Sequence, residues 1–174
     1  LGCEPDYNAY TGLPNPTPDG DLGFRTASGH IHIGWHKQMV DPMDPDHFQD
    51  CIVLTKALDF FLGIPSLLWD QDNRRRELYG QAGAFRPKPY GMEYRVLSNK
   101  WLSPEYPHLP KFIYHNTMKA IEYALKDHEF EGVVDPLLAR DIINSGDVKA
   151  AKNQVRIAKH SSLYQPPKYY REDV

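Results

Sequence analysis

The chain has 174 residues, of which 41% are hydrophobic and 25% charged, and its formal net charge is −3. This length suits one domain or the greater part of one, and the composition is ordinary for a globular protein. No apolar run approaches the ~20 residues needed to cross a bilayer. Since 23 acidic residues outnumber 20 basic ones, no basic face is indicated. We therefore expect neither a membrane nor a nucleic acid as a partner.

The first elements of the chain are predicted as a strand, a loop and a second strand. Residues 1–10 favour a short strand, and residues 11–23 are rich in Pro and Gly, which is typical of a loop. Ile31 and Ile33 then alternate with His30 and His32. Period-2 alternation of β-branched residues predicts a strand that carries both histidines on one face.

A buried helix is predicted to follow a turn that ends at Pro45. Asp46 and Gln49 have capping-box spacing, so we expect the helix to begin at Asp46. Gly63 and Pro65 are predicted to stop it. The next four residues, 66–69, are expected to be strand-like.

Residues 70–83 are polar and arginine-rich, and we predict no core element there. Gly91 to Leu97 alternates again, which predicts a strand with Glu93 and Arg95 on the same face.

Helices are predicted in the last third of the chain. One runs from Pro110 to about Asp127, since proline suits a first helical turn. Its expected apolar positions are Phe112, Ile113, Met118, Ile121 and Leu125. Two shorter helices are expected at about 136–144 and 147–159, and the tail from Ser161 is expected to be extended. Strands and helices in mixed order predict an α+β fold.

The first candidate site is the segment Gly29-His30-Ile31-His32-Ile33-Gly34. Residues i and i+2 of a strand share a face, so both imidazoles can reach one centre, and histidine is the commonest metal ligand. The alternative is two partly exposed histidines with no ligand. The motif alone leaves the two interpretations evenly balanced.

The second candidate site is Glu93-Tyr94-Arg95, preceded by Arg86 and Lys88 in a segment that we predict to be a proline-stiffened loop. An isolated Glu-x-Arg is typical of a structural ion pair. Several cations beside one carboxylate exceed what an ion pair needs, and they suit a phosphate or a substrate carboxylate. Glu93 is then better explained as a ligand of a divalent cation, for which Mg²⁺ or Mn²⁺ fits better than structural zinc.

The two cysteines, Cys3 and Cys51, are too few for a disulfide scaffold. We expect both to be buried free thiols. Reduced thiols favour a reducing compartment, which leads us to expect the cytoplasm.

Taken together, these motifs resemble the phage carboxylate–amine ligases, or amidoligases, which are related to glutamine synthetase. The resemblance covers roughly residues 1–103, and it depends on the Gly-His-Ile-His-Ile-Gly segment, a helix, and the segment from Arg74 to Arg95 in that order. It implies an incomplete glutamine-synthetase-like catalytic domain, an antiparallel sheet with flanking helices. We expect 1–103 to be the C-terminal part of that domain and 104–174 a helical extension packed on it.

The resemblance also implies roles for individual residues. His30 and Glu93 would bind a divalent metal. His32 would approach the nucleotide phosphates, and Arg86 and Arg95 would act on the transferring phosphoryl group or the substrate carboxylate. Weaker candidates are Arg75 for phosphate and Arg25 and Tyr90 for substrate.

One departure from the pattern concerns the metal-binding glutamates that relatives place before the histidine strand. In this chain Glu4 and Asp6 are the only early acids, and their placement does not match well. Because the chain begins at Leu1 rather than Met, we expect a fragment or a processed product, and the sequence leaves open whether it is active alone.

The implied activity is ATP-dependent amide formation through an acyl phosphate, with Mg²⁺ or Mn²⁺ as cofactor. The substrates would be small-molecule or peptide carboxylates and amines. The resemblance is compatible with a homo-oligomer. A phage-encoded chain would work in the host cytoplasm. Two alternatives stay open. The first is a non-catalytic phage module that binds a carboxylate without ATP. The second is a small cupin-type metalloprotein that rests on His30 and His32.

Overall fold

The computed structural model describes residues 5–16, 27–126 and 134–160. Within these residues the fold is α+β, as the sequence predicts. It contains one antiparallel four-stranded sheet in the order β1-β3-β4-β2. The strands are β1 (Tyr7–Asn8), β2 (Ile31–Gly34), β3 (Ala84–Lys88) and β4 (Gly91–Tyr94). Helices flank the sheet, so the architecture is a sheet layer packed against a helical layer.

The two faces of the sheet differ in chemistry because side chains alternate along each strand. One cross-strand row places Phe85 beside Tyr94, which in turn pairs with Ile31, and both aromatic side chains are fully buried. The next row along the strands places Arg86 beside Glu93, which pairs with His32. The first row packs toward the helices, and the second row lies on the opposite face. The predicted strand is confirmed at Ile31–Gly34 and carries His32 on the polar face, whereas His30 lies one residue before its start.

The first long helix, α1 (Pro45–Leu58), packs on β3 and β4. It is capped by Asp44, whose side chain accepts hydrogen bonds from the backbone nitrogens of Asp46 and His47. The prediction that Asp46 begins the helix is wrong by one residue, because Pro45 has the fixed φ that suits the first helical position. Cys51 is a free thiol with no exposed surface, as predicted, and Cys3 lies outside the described residues.

The helical path does not stop at Gly63. A π-helical segment, Asp59–Gly63, leads into the short helix α2 (Ile64–Ser66). Proline lacks an N–H and its ring clashes with the carbonyl four residues back. The wider turn, in which the Ile64 nitrogen donates to the Asp59 carbonyl, accommodates Pro65. The strand-like segment predicted at 66–69 is therefore wrong.

Two elements lie in segments to which the sequence assigns neither a helix nor a strand. Helix α3 (Asn73–Leu78) is capped by Asp72, whose side chain accepts from the Arg75 nitrogen. The segment with Arg86 and Lys88 is strand β3 rather than a proline-stiffened loop. Pro87 is tolerated there because β1 pairs only with the first two residues of β3. Strand β4 ends at Tyr94, three residues before the predicted end.

The remaining helices are α4 (Leu109–Ala124), α5 (Pro136–Ser145) and α6 (Val148–His160), with a 3₁₀ turn at Asn99–Leu102. In α4, Phe112 and Ile113 are buried as predicted, but Met118 is 48% exposed, and Leu125, the residue after the helix, is 79% exposed. Asn116 and Thr117 are buried in the core-facing stripe instead. Each satisfies its side chain by donating to the carbonyl four residues earlier.

The helices after residue 104 belong to the same hydrophobic core as the sheet. Helix α4 packs on α1, and α5 packs on the π-helical segment. Residues of both groups, Phe61 and Ile143 among them, are at most 1% exposed. None of the helices in the described part of the chain is both long and apolar enough to cross a membrane.

Candidate functional site

The polar face of the sheet is organised around Glu93, whose side chain is 5% exposed. One carboxylate oxygen, Oε1, lies 2.5 Å from His30 Nδ1 and accepts from Arg95 Nη1 at 2.5 Å. The other, Oε2, accepts from Arg86 Nη1 at 3.1 Å and lies 4.0 Å from Lys88 Nζ. Three cations and one histidine thus converge on a single carboxylate.

This environment lowers the pKa of Glu93. Burial would raise the pKa of the carboxyl group. The hydrogen bond from His30 and the charges of Arg95 and Arg86 outweigh burial and lower the pKa to about 2. Glu93 is therefore an anion at every pH at which the protein is expected to work.

Arg95 extends the cluster to the beginning of β1. Its Nε donates to Asp6 Oδ2 at 2.9 Å, and its Nη1 lies 3.3 Å from His30 Nδ1. Arg95 follows the last residue of β4, and its backbone nitrogen donates to the Ala84 carbonyl. This bond keeps its side chain on the same face as Glu93.

His32 and Tyr90 form a second part of the site. The Tyr90 hydroxyl lies 2.5 Å from His32 Nδ1. His32 is exposed, and it is the cross-strand neighbour of Glu93. A hydrogen bond at Nδ1 fixes the orientation of the ring, so Nε2 is the nitrogen presented to a ligand.

A tight β3–β4 turn gives Tyr90 its position. Gly91 has φ of +155°, and a Cβ there would overlap the Ile33 carbonyl oxygen. Only glycine allows β2 to approach the turn this closely. The Tyr90 carbonyl accepts from the nitrogens of Trp35 and His36, which ties β2 to the turn.

The structure brings together six of the residues predicted from sequence or resemblance: His30, His32, Arg86, Tyr90, Glu93 and Arg95. It does not bring Arg75 to them. The Arg75 guanidinium is buried and donates to the carbonyls of Val96 and Leu97, each at 2.7 Å, and to the Ser28 hydroxyl. It braces the chain beyond β4, so the phosphate role expected for it has no support. Arg25 lies outside the described residues.

Asp6 is the site residue that sequence reasoning undervalued. Its register is set by β1, whose Tyr7 pairs with Phe85, so Asp6 falls beside Arg86 at the edge of the polar face. Alternation of the polar Asp6 with Tyr7 could have predicted that Asp6 lies on the polar face. A strand of two residues is, however, too short to show a periodic pattern.

The donor types suit the divalent metal that the resemblance implies. Asp6 and Glu93 supply carboxylates and His30 an imidazole, a set that hard divalent cations accept. In the described part of the chain, however, no three such side chains are placed closely enough to hold a metal. Instead the Arg95 guanidinium contacts both carboxylates. The donor types of these side chains therefore suit a divalent metal, but their arrangement holds a guanidinium.

Comparison with known protein families identifies a matching family model. The family model described as Phage phiEco32-like COOH.NH2 ligase-type 2 matches residues 23–128, which is more than half of the chain and includes β2, β3, β4 and α4. No curated protein and no solved structure matches the chain.

Proposed function

The chain belongs to the phage phiEco32-like COOH.NH2 ligase-type 2 family, and from that premise we propose that it joins a carboxylate and an amine into an amide with ATP as the activating reagent. The carboxylate oxygen would attack the γ-phosphorus, ADP would leave, and an acyl phosphate would form. The amine nitrogen would then attack the acyl carbon, lose a proton, and expel inorganic phosphate.

Both steps concentrate negative charge on phosphoryl oxygens, and positively charged donors that are already in position stabilise such charge. The observation that carries the proposal is the gathering of Arg86, Lys88 and Arg95 at one buried carboxylate. With Glu93 and Asp6 counted as anions, this set of five charges has a net charge of +1. It is therefore suited to receive an anion rather than a cationic substrate.

Each residue of the site has a task in this proposal. Arg86 and Arg95 would bind the transferring phosphoryl group and the substrate carboxylate. His32, oriented by Tyr90, would donate from Nε2 to a phosphate oxygen. A divalent cation, Mg²⁺ or Mn²⁺, held by His30 and Glu93 would neutralise charge on the nucleotide when bound.

The test uses hydroxylamine as the amine, since it converts acyl phosphates to coloured hydroxamates. The protein is incubated with ATP, Mg²⁺ and pools of amino acids and short peptides, and hydroxamate and ADP are measured together. We expect equal amounts of both products with at least one pool. Arg86→Gln should lower the rate by about 10²–10³-fold.

Arg156→Gln is the matched control, because Arg156 is an exposed arginine on α6 whose guanidinium donates to the Asn153 side chain. It should leave the rate unchanged. Binding of carboxylates without any binding of ATP would contradict the ligase proposal and support the non-catalytic alternative.

A further inference from the structure

Helix α4 carries a second row of apolar side chains besides the row that it buries in the core. Tyr114 and Met118 are 64% and 48% exposed, Leu125 just after the helix is 79% exposed, and Ile121 between them is half-buried. Single exposed apolar side chains are normal on a protein surface, whereas a continuous row of them marks a site of interaction. We call these four residues the α4 stripe.

The spacing within the α4 stripe is that of a helix–helix contact. Its members are separated by four, three and four residues, so they lie on one narrow face over a length of about 16 Å. The Leu125 nitrogen donates to the Ile121 carbonyl, so the helical spacing holds to the last member. Alternating steps of three and four residues form the seam along which two helices pack. The stripe is therefore suited to another helix.

The order of residues in the α4 stripe suits the same helix of a second copy in antiparallel orientation. A two-fold axis that crosses α4 midway between Met118 and Ile121 would pair each Met118 with Ile121 of the second copy. The same axis would pair each Tyr114 with Leu125 of the second copy, because a two-fold contact is reciprocal. Every member of the stripe then meets an apolar side chain.

The charges beside the stripe favour this orientation. His115 and Glu122 are exposed on the same flank of the stripe, and the two-fold axis brings each His115 next to Glu122 of the second copy. Glu122 accepts hydrogen bonds from Lys126 at 2.8 Å and from Lys119 at 3.4 Å within its own helix. A carboxylate has about four lone-pair sites, so it can accept from an imidazole of the second copy as well.

A parallel pair of α4 helices lacks this complementarity. In that orientation one flank of each helix faces the opposite flank of its neighbour, so His115 would lie beside Pro110 and Glu122 beside Thr117. Neither of these neighbours carries a charge. The flanking charges therefore distinguish the two orientations and select the antiparallel one.

We propose that the α4 stripe is the surface through which two copies of this chain pair as an antiparallel two-fold dimer. Removal of the stripe from water drives the association, and the contacts between His115 and Glu122 set its orientation. One helix face is smaller than the roughly 800 Å² per partner of a standard interface. The dimer is therefore expected to dissociate at micromolar concentrations, and its formation does not depend on the proposed ligase reaction.

The first test is sedimentation equilibrium of the full chain at about 1–200 µM, a range that brackets the affinity expected for a small interface. The mass should rise from 20.0 kDa toward twice that value. Met118→Glu should weaken association at least about 10-fold, because it buries a charge against Ile121 of the second copy. Met39→Glu is the matched control, since Met39 is 76% exposed and lies outside α4. A wild-type chain that stays at 20.0 kDa, or a Met118→Glu variant that associates as well as Met39→Glu, would overturn the proposal.

A second test mixes two variants and reports the orientation. His115→Glu and Glu122→Lys should each associate more weakly than the wild type, because each replaces an attractive contact between copies with a repulsive or unpaired one. In an equimolar mixture the two new charges face each other, while the other contact keeps the native His115 and Glu122. We expect the mixture to associate about 3- to 10-fold more tightly than either variant alone.

Mixing cannot restore a variant that fails to fold, so a gain on mixing identifies a contact between copies. A mixture that associates no more tightly than its components would overturn the antiparallel pairing. Neither test measures turnover, so failure of the ligase proposal is detected separately.

Discussion

Asp59 is a carboxylate with no exposed surface and is held by uncharged donors. Its Oδ1 accepts from the Tyr94 hydroxyl, and its Oδ2 accepts from the Tyr10 hydroxyl and the Gly83 nitrogen. Burial raises the pKa of Asp59 to about 7, although these three hydrogen bonds act in the opposite direction. The group joins the loop after β1, the π-helical segment and β4 at one point.

This raised pKa predicts a pH dependence of stability. The folded state holds the Asp59 proton up to about pH 7, whereas the unfolded chain releases it near its ordinary value of 3.8. Between these values the folded state binds more protons, so Asp59 makes the free energy of unfolding fall as pH rises. We expect Asp59→Asn to remove this component in urea unfolding at pH 4, 5.5 and 7.

The control for that series is Asp141→Asn, which changes a carboxylate whose side chain is 64% exposed. It should keep the wild-type slope of stability against pH. An Asp59→Asn variant with the same slope as the wild type would show that Asp59 is ionised in the folded protein.

The candidate site was predictable at the residues that alternation places on one strand face. His30 with His32, and Glu93 with Arg95, follow from spacing alone, and the structure brings all four together. Asp6 and Arg75 show the limit. The position of Asp6 depends on how β1 pairs with β3, and that of Arg75 on which backbone carbonyls lie nearby. The local sequence determines neither.

At the scale of the elements, Asp44 and Asp46 are two candidates for the residue that caps the start of α1. The Asp44 side chain accepts from two backbone nitrogens of the first turn, whereas Asp46 lies inside the helix. Asp44→Ala should lower the free energy of unfolding by about 1 kcal/mol, as loss of a helix cap does. Asp46→Ala should change it by less than about 0.5 kcal/mol. Chemical unfolding midpoints of both variants decide the matter, and the reverse order would restore the capping box predicted from sequence.

A second prediction at the scale of the elements concerns Gly29, which lies two residues before β2. A Cβ on Gly29 would lie 2.7 Å from the Ser98 carbonyl oxygen and would also overlap the Trp101 ring nitrogen, which donates to the Gly29 carbonyl. Gly29→Ala should therefore destabilise the fold by about 1–3 kcal/mol and displace His30. The measurement is thermal unfolding together with Trp fluorescence.

Gly34→Ala, at the last residue of β2, is the matched control. Its Cβ would lie 3.5 Å from the Tyr90 carbonyl oxygen, an ordinary contact. If both variants lost the same stability, the crowding at Gly29 would not be the cause.

The elements that the sequence mispredicts share a physical reason. Pro65 locally favours the end of a helix. Burial of Phe61 and Ile64 in the core stabilises a continued helix, and a widened turn accommodates the proline. Strand β3 contains Pro87, and proline is unfavourable in the interior of a sheet. Pro87 is tolerated because β1 pairs only with Ala84 and Phe85. In each case tertiary packing overrides a correct local preference.

On the scale of the whole molecule, the question is whether the part before residue 104 and the helices after it unfold together. Asn144 on α5 accepts at its side-chain oxygen from the Ala82 nitrogen in the loop before β3. Ile143, with no exposed surface, packs against the π-helical segment, where its Cδ1 would lie 2.6 Å from a Cβ added at Gly63. These contacts join the two parts through one core rather than through a surface interface.

We therefore predict that a change in the later helices destabilises the entire molecule. Ile143→Ala should cost about 2–5 kcal/mol, since it opens a cavity in the core, and unfolding should remain a single transition. Far-ultraviolet circular dichroism reports all helices, while fluorescence of Trp35, Trp69 and Trp101 reports the earlier part, so both curves should shift together. Leu137→Ala, at a position 58% exposed on the same helix, should shift neither. A fluorescence transition that stays in place while the dichroism shifts would instead show that 104–174 unfolds as an independent extension.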